Sequence, residues 1–357
     1  MTDIKVTLKD GSNIDNTDWN NLRFGVYFSD HVFMSDFKNG EWGDDRIIPY
    51  GPMQVDPGMC TLHYGQTIFE GLKAFPDKNG GVNLFRPDKN AARLNHSGAM
   101  VCIPAFDENL FVDAIKKLVK IDKKWIPQKR GESLYLRPVL YGSSNFLGVH
   151  ASEEYKLIIM TSPVGSYYAE GLNPVDILVS DTYVRAVKGG LGSAKTAANY
   201  AASMLGGAKA KELGYAQVLW LDGVSRSFID EVGAMNIMFQ IGDELVTPSL
   251  ERGAILNGVT RDTVLTLAKD WGMKVRERDI TIDEILKANT DGTLKEVFGT
   301  GTAAVISPVG KLTYKGKDLL INGGKIGNLA QKMYDTITGL QYGEIEDTHG
   351  WIQHFEV

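Results

Sequence analysis

Residues 189–200 read Gly-Gly-Leu-Gly-Ser-Ala-Lys-Thr-Ala-Ala-Asn-Tyr, and the one charged side chain among them is Lys195. An amine set among small, uncharged residues is partly desolvated, and desolvation pulls a lysine pKa down toward the range of a nucleophile or base. The same window also reads as a surface lysine in a Gly/Ala loop. The rest of the chain has to decide between the two.

Three other stretches bear on that choice. Asn257-Gly-Val-Thr-Arg-Asp-Thr263 joins a glycine that admits close backbone approach to Thr260, placed to cap a helix whose first N–H groups would accept a phosphate. Phe298-Gly-Thr-Gly-Thr-Ala-Ala304 offers a second small-residue turn with N–H groups and two hydroxyls. In Ser227–Asn236, Glu231 follows an apolar strand and precedes Val-Gly-Ala-Met, an awkward place for a carboxylate without a cationic partner. Singly, these are also an ordinary helix start, a strand-to-helix turn and a strand-end carboxylate. Taken together they are the parts of a pyridoxal-phosphate enzyme: a lysine for the Schiff base, a phosphate cradle, and a carboxylate to keep the ring nitrogen protonated. Neither GxxxxGK[ST] nor a GxGxxG after a strand occurs, so P-loop and dinucleotide chemistry are not supported.

Composition bounds the surroundings. The 357 residues suggest two domains, and 38 Lys+Arg against 44 Asp+Glu give a net charge of −6. Hydrophobic and charged fractions of 43% and 23% are those of a globular chain. Lysine pairs such as Lys116-Lys117 and Lys123-Lys124 read as solvated helix faces, so neither nucleic acid nor a membrane is expected as partner. The opening MTDIKVTLKDGS has no apolar h-region, and Cys60 and Cys102 form no CxxC; a cytoplasmic setting without a disulfide framework is expected. The six histidines are scattered, and no metal site is expected.

Along the chain, Leu72–Phe75 and Val82–Phe85 flank Asn79-Gly80-Gly81 as a hairpin. Asp107 caps a helix with Phe111, Ile115, Leu118 and Val119 on one face. Ser133–Pro138 and Lys156–Met160 read as strands of one sheet. Residues 166–174, rich in Pro, Gly, Ser and Tyr, are the expected interdomain loop between a domain at 1–165 and one at 175–357. In the second half, strands are expected at Val175–Asp181, Gln217–Leu221, Ser227–Ile229 and Ala234–Gln240, with helices around Ala197–Leu213 and at Val259–Gly272.

The sequence resembles the branched-chain amino acid aminotransferases of the class IV (fold type IV) pyridoxal-phosphate family over nearly its whole length. The resemblance rests on Phe24-Gly25 with Asp30-His31, on Leu62-His-Tyr-Gly-Gln-Thr-Ile-Phe-Glu-Gly-Leu-Lys-Ala-Phe75, and on Leu84-Phe-Arg-Pro87 leading to Arg93. It continues through Leu134–Pro138, Ser162–Gly165, Tyr183-Val-Arg-Ala186, Lys195–Tyr200, Gln217–Leu221, Glu231-Val-Gly and Gly301-Thr-Ala303. It implies an α+β, two-domain fold, with a smaller N-terminal domain and a larger C-terminal domain that has a β-barrel-like core and carries the lysine. It implies Lys195 as Schiff-base lysine and proton shuttle, with Arg93, Val259, Thr260 and Thr302 on the phosphate. Tyr200 would meet the cofactor's phenolic oxygen and Glu231 its ring nitrogen. Phe24, Tyr64, Phe69, Tyr135, Tyr167, Thr302 and Ala303 would line the substrate pocket, and Arg137 would accept the side-chain carboxylate of glutamate.

The activity so implied is ping-pong transamination of leucine, isoleucine or valine with 2-oxoglutarate, by a homodimer in which parts of Tyr64–Phe75 lie near the partner's site. Two departures stand out: Ala304-Val-Ile-Ser307 replaces the CxxC pair of mammalian members, and Ala234 stands where a threonine is common. The D-amino acid aminotransferases and aminodeoxychorismate lyase share the lysine and glutamate, but the long 62–75 and 162–165 blocks fit them poorly. A phosphate-binding scaffold that had lost catalysis would have no need of Lys195, Tyr200 and Glu231 together.

Overall fold

The computed structural model describes residues 4–166 and 172–357. The chain divides into two compact units, Met1–Ala169 with Ala194–Ala197 and Gly339–Val357, and Glu170–Ser193 with Ala198–Thr338. The sequence expects a single crossing at 166–174, with Lys195 in the second half. Contacts instead group Lys195 with the first unit. The Phe69 N–H donates to the Lys195 carbonyl at 3.0 Å, Ile68 bridges to Thr196, and the Lys195 N–H donates to Ser97 Oγ at 2.9 Å. The last residues return to that unit because Ile352–Phe355 pairs antiparallel with Val82–Phe85.

The first unit is built on a nine-stranded sheet. Its strands are β1 (Lys5–Val6), β2 (His31–Lys38), β3 (Glu41–Pro49), β4 (Thr67–Phe69), β5 (Leu72–Pro76), β6 (Val82–Phe85), β7 (Ser133–Gly142), β8 (Tyr155–Val164) and the strand Ile352–Phe355. The expected hairpin is β5–β6. Side chains alternate along β7: Leu134, Leu136 and Leu140 enter the core, while Tyr135 and Arg137 point to the other face. Helix α1 (Cys60–Tyr64) adjoins β7, and the core side is covered by α2 (Pro87–Ala99) and α3 (Glu108–Ile121), which supply Leu94, Phe111, Ile115, Leu118 and Val119 to the core. Asp107 caps α3 as expected, accepting from the Leu110 N–H at 2.7 Å. Each large side chain so buried stabilises the unit by roughly 1.5–3 kcal/mol.

The second unit has its own nine-stranded sheet. Its strands are β9 (Val175–Ser180), β10 (Gln217–Leu221), β11 (Ile229–Val232), β12 (Asn236–Ile241), β13 (Glu244–Thr247), β14 (Lys274–Glu277), β15 (Leu294–Gly301), β16 (Val305–Tyr314) and β17 (Lys317–Leu320). Helices α4 (Ala197–Glu212), α5 (Val259–Asp270) and α6 (Ile282–Thr290) accompany it. Glu231 lies inside β11 rather than after a strand. Thr260 does not cap α5; Gly258 is the N-cap, and Thr260 is a buried residue of the helix's first turn. The chain reaches extended φ/ψ one residue before Val259, which leaves no turn in which the threonine hydroxyl could cap.

Candidate active site

In the first unit the strand β4 and the residue after it organise three cations. The Phe69 ring lies 4.7 Å from Lys195 Nζ and 4.8 Å from the Arg137 guanidinium carbon. Glu70, with no exposed surface, binds Arg93 on α2 through both oxygens, at 2.7 Å from Nε and 2.9 Å from Nη2. On β7, Tyr135 Oη accepts from Arg137 Nη2 at 3.2 Å, and its ring meets Phe24 edge-on at 4.8 Å. Gly71 is required for that tyrosine, since a Cβ there would lie 2.0 Å from Tyr135 Oη. Burial lowers the Lys195 pKa to about 8, helped by the nearby Arg93 charge and opposed by Glu70. Beside it, the buried Thr196 hydroxyl has no hydrogen-bond partner.

The second unit holds its own cluster. Glu231 Oε1 accepts from the Leu256 N–H at 2.8 Å, and Oε2 lies 3.3 Å from Arg185 Nε. Arg185 is buried and donates to the Ala254 carbonyl. Asn236 ties the group to the start of α5. Its Nδ2 donates to the Leu256 carbonyl at 2.8 Å, and a Cβ on Gly258 would collide with its Oδ1. The N-cap of α5 is Gly258, which has no side chain to cap with, and a helix start of this kind can accept an anion. Thr302 and Ala303 form the turn between β15 and β16, next to a partnerless buried Thr300 hydroxyl and to Val305, whose φ of 62° is unusual for a β-branched residue. Tyr200 lies in the first turn of α4.

The sequence-derived residues thus fall into two groups. Phe24, Phe69, Arg93, Tyr135, Arg137 and Lys195 are linked through contacts within the first unit. Tyr200, Glu231, Val259, Thr260, Thr302 and Ala303 belong to the second. Tyr64 stands apart, with its hydroxyl donating to the Leu147 carbonyl. Tyr167 lies outside the described residues. Sequence reasoning passed over Glu70, Arg185 and Asn236, although all three stand in stretches it singled out. A carboxylate between Phe69 and Gly71 in an apolar run carried the same signal that marked Glu231.

The sequence pattern described as "Amino-transferase class IV" matches residues 67–312. The chain belongs to the class IV aminotransferases. Within that family it is 54% identical over 335 residues to the branched-chain-amino-acid aminotransferase 2 of Bacillus subtilis (strain 168), covering 94% of this chain and 92% of the relative. The branched-chain-amino-acid transaminase 1 of the same strain is 49% identical over 336 residues, covering 94% of each. Among solved structures, the Escherichia coli branched-chain amino acid aminotransferase superposes with a TM-score of 0.72 at 25% identity, over 91% of this chain and 98% of that one. A T.th. branched-chain amino acid aminotransferase with pyridoxamine 5'-phosphate gives 0.75 at 25% identity, over 90% and 97%. This family member is therefore an enzyme, an aminotransferase of the branched-chain amino acid kind, with the α+β architecture of fold type IV.

Proposed function

We propose that this aminotransferase moves the amino group of leucine, isoleucine or valine to 2-oxoglutarate through pyridoxal 5'-phosphate, reversibly and by a ping-pong route, in branched-chain amino acid biosynthesis or degradation. The observation that carries the reading is the desolvated Lys195 amine, with its pKa lowered to about 8, in the same cluster as an aromatic wall and Arg137. The residues fit the cofactor. Each half supplies a buried hydroxyl without a partner, Thr196 and Thr300, and the second supplies a helix terminus whose N-cap is Gly258. A ring nitrogen is matched by Glu231, whose charge Arg185 and the Leu256 N–H favour.

When bound, the cofactor supplies a carbonyl for the amino group and an electron-withdrawing ring that acidifies the substrate Cα–H. The chain does the rest. Arg93, Thr302 and the Val259–Thr260 helix start would hold the phosphate, Tyr200 the phenolic oxygen, and Glu231 the ring nitrogen. Lys195 Nζ would take and hold the Cα proton, a role suited to an amine whose pKa burial lowers to about 8. Phe24, Phe69 and Tyr135 would wall an aliphatic side chain, and the family resemblance adds Tyr167 and Ala303. Arg137, held by Tyr135 Oη, would pair with the side-chain carboxylate of glutamate and lies over the Phe69 ring when none is present.

A homodimer fits the first unit's surface. Leu62, Leu147 and Val149 are exposed on neighbouring segments joined by the Tyr64–Leu147 hydrogen bond, and such a patch is favoured for burial against a second copy. Tyr64 would then serve the partner's site. A cytoplasmic setting completes the reading; no helix among the described residues is long and apolar enough to cross a membrane.

Colour is the test. The purified protein should be yellow, leucine should bleach it, and 2-oxoglutarate should restore it. Lys195→Ala should lose the lysine-linked chromophore and the exchange. A colourless protein that does not take up pyridoxal 5'-phosphate overturns the cofactor reading, and a chromophore unchanged in Lys195→Ala overturns the site.

A further inference from the structure

Glu70 is fully buried, yet each of its oxygens is engaged. Oε1 accepts from Arg93 Nε at 2.7 Å. Oε2 accepts from Arg93 Nη2 at 2.9 Å, Asn90 Nδ2 at 2.8 Å and the Gly71 N–H at 3.1 Å. Its own N–H donates to the Pro138 carbonyl at 2.9 Å, fastening the segment to β7 one residue from Arg137. Buried ion pairs contribute little net stability, because desolvation offsets the attraction, and an apolar pair of similar volume does as well. Stability therefore does not account for a charged pair at this depth. The forked contact, by contrast, occupies one edge of the guanidinium and so fixes the direction of the rest.

We propose that Glu70 is a positioning residue for the aminotransferase reaction: it aims Arg93 at the cofactor's phosphate and offsets the arginine charges that surround Lys195. The proposal rests on the reading of this site as one for pyridoxal 5'-phosphate. Among the charged and titratable groups facing the Lys195 amine are Arg93, Arg137, Tyr135 and Glu70. Burial, Arg93 and Arg137 push its pKa down, while Glu70 and Tyr135 pull it back up. Burial also raises the pKa of Glu70, but Arg93, Lys195 and Asn90 outweigh it and leave the carboxylate below its ordinary value. Glu70 therefore stays ionised and keeps Lys195 from becoming neutral too far below its working pH.

Acetylation of the cofactor-free full-length protein with trace acetic anhydride, read at each lysine by mass spectrometry across pH, reports the Lys195 midpoint. Lys73 is the internal control, since burial lowers its pKa to about 8 as well. In Glu70→Gln the Lys195 midpoint should fall by about one unit, a roughly tenfold rise in neutral amine at fixed pH below it, while the Lys73 midpoint stays. Glu70→Asp, which keeps the charge, should restore the Lys195 midpoint. A Lys195 midpoint that stays put in Glu70→Gln, or moves only together with that of Lys73, overturns the electrostatic role.

Asn90→Ala tests the aiming of Arg93 without touching the charge. It should weaken pyridoxal 5'-phosphate binding about fivefold, as expected for one lost hydrogen bond, with the Lys195 midpoint unchanged. An unaltered affinity overturns that part. The labelling needs no cofactor, so a protein that fails to bind pyridoxal 5'-phosphate at all sinks the cofactor reading and still leaves the effect of Glu70 on Lys195 measured.

Discussion

Around Lys195 the first unit gathers two arginines, Arg93 and Arg137, and the carboxylate of Glu70; around Arg252 the second gathers three carboxylates, Asp222, Asp230 and Asp279. Burial is nearly equal for the two carboxylates that matter, with Glu70 at 0% and Asp230 at 2% exposure. Their fates differ. Glu70 meets its arginine at 2.7–2.9 Å and stays below the usual carboxylate range. Asp230 meets Arg252 only at 3.9 Å, has an oxygen without a hydrogen-bond partner, and borders a cavity of about 230 Å³. Desolvation then pushes its pKa up to about 7. What fixes a buried charge is the directness of its hydrogen bonds, more than the number of opposite charges nearby.

Glu231, next to Asp230 on the same strand, extends the contrast, because it combines a direct N–H contact with a guanidinium 3.3 Å away. Glu231→Gln keeps the shape and removes the charge. It should lower kcat for leucine by roughly a hundredfold or more with little change in Tm. A variant that loses stability instead, at unaltered kcat, would make Glu231 a structural residue and break the parallel with Glu70.

Arg137 offers a smaller effect, on choice rather than rate. Arg137→Gln should reduce kcat/KM for glutamate roughly ten- to a hundredfold more than for leucine, the worth of one charged hydrogen bond. Equal losses for both substrates would remove the idea that this guanidinium is wall to one and partner to the other.

How far the sequence foretold these contrasts depends on the range of the interaction. The hairpin β5–β6, the Asp107 cap, β10 and the helix at Val259 follow from local periodicity and turn residues, and the structure has them. Lys195 and Glu231 stand out because charge in an apolar or small-residue run is a local anomaly, whereas Arg93 came only with the family resemblance. The helices α2 and α6 and the strands β2, β3 and β15 went unforeseen, since tertiary burial rather than a clean local pattern defines them. The return of Ala194–Ala197 and of the last strand to the first unit depends on pairings such as Ile68 with Thr196 and Ile352 with Phe85, which no local pattern encodes. Partners were invisible for the same reason. Glu70 and Arg93 are 23 residues apart, and Arg185 and Glu231 come from separate motifs.

Asp230 gives the mildest prediction and the sharpest test of the opening contrast. A folded-state pKa of about 7, against an ordinary 3.8, means that the folded protein holds a proton the unfolded chain has released between those values. Stability contributed by this group therefore falls as pH rises from about 4 to about 7, and the cost is fully present above that. Asp230→Asn removes the ionisable group and keeps its shape. It should raise Tm at pH 8 by roughly 2–4 °C, since Arg252 can close on the ionised carboxylate and trim the cost to about 1 kcal/mol. At about pH 3.5, below both pKa values, the variant and the parent should melt together. The matching change in the first unit, Glu70→Gln, should not stabilise at pH 8, because there the charge is already satisfied by its own hydrogen bonds. Thermal melts of both variants at the two pH values decide it: a Glu70→Gln protein that gains stability like Asp230→Asn would mean that depth of burial, and not pairing geometry, governs both carboxylates.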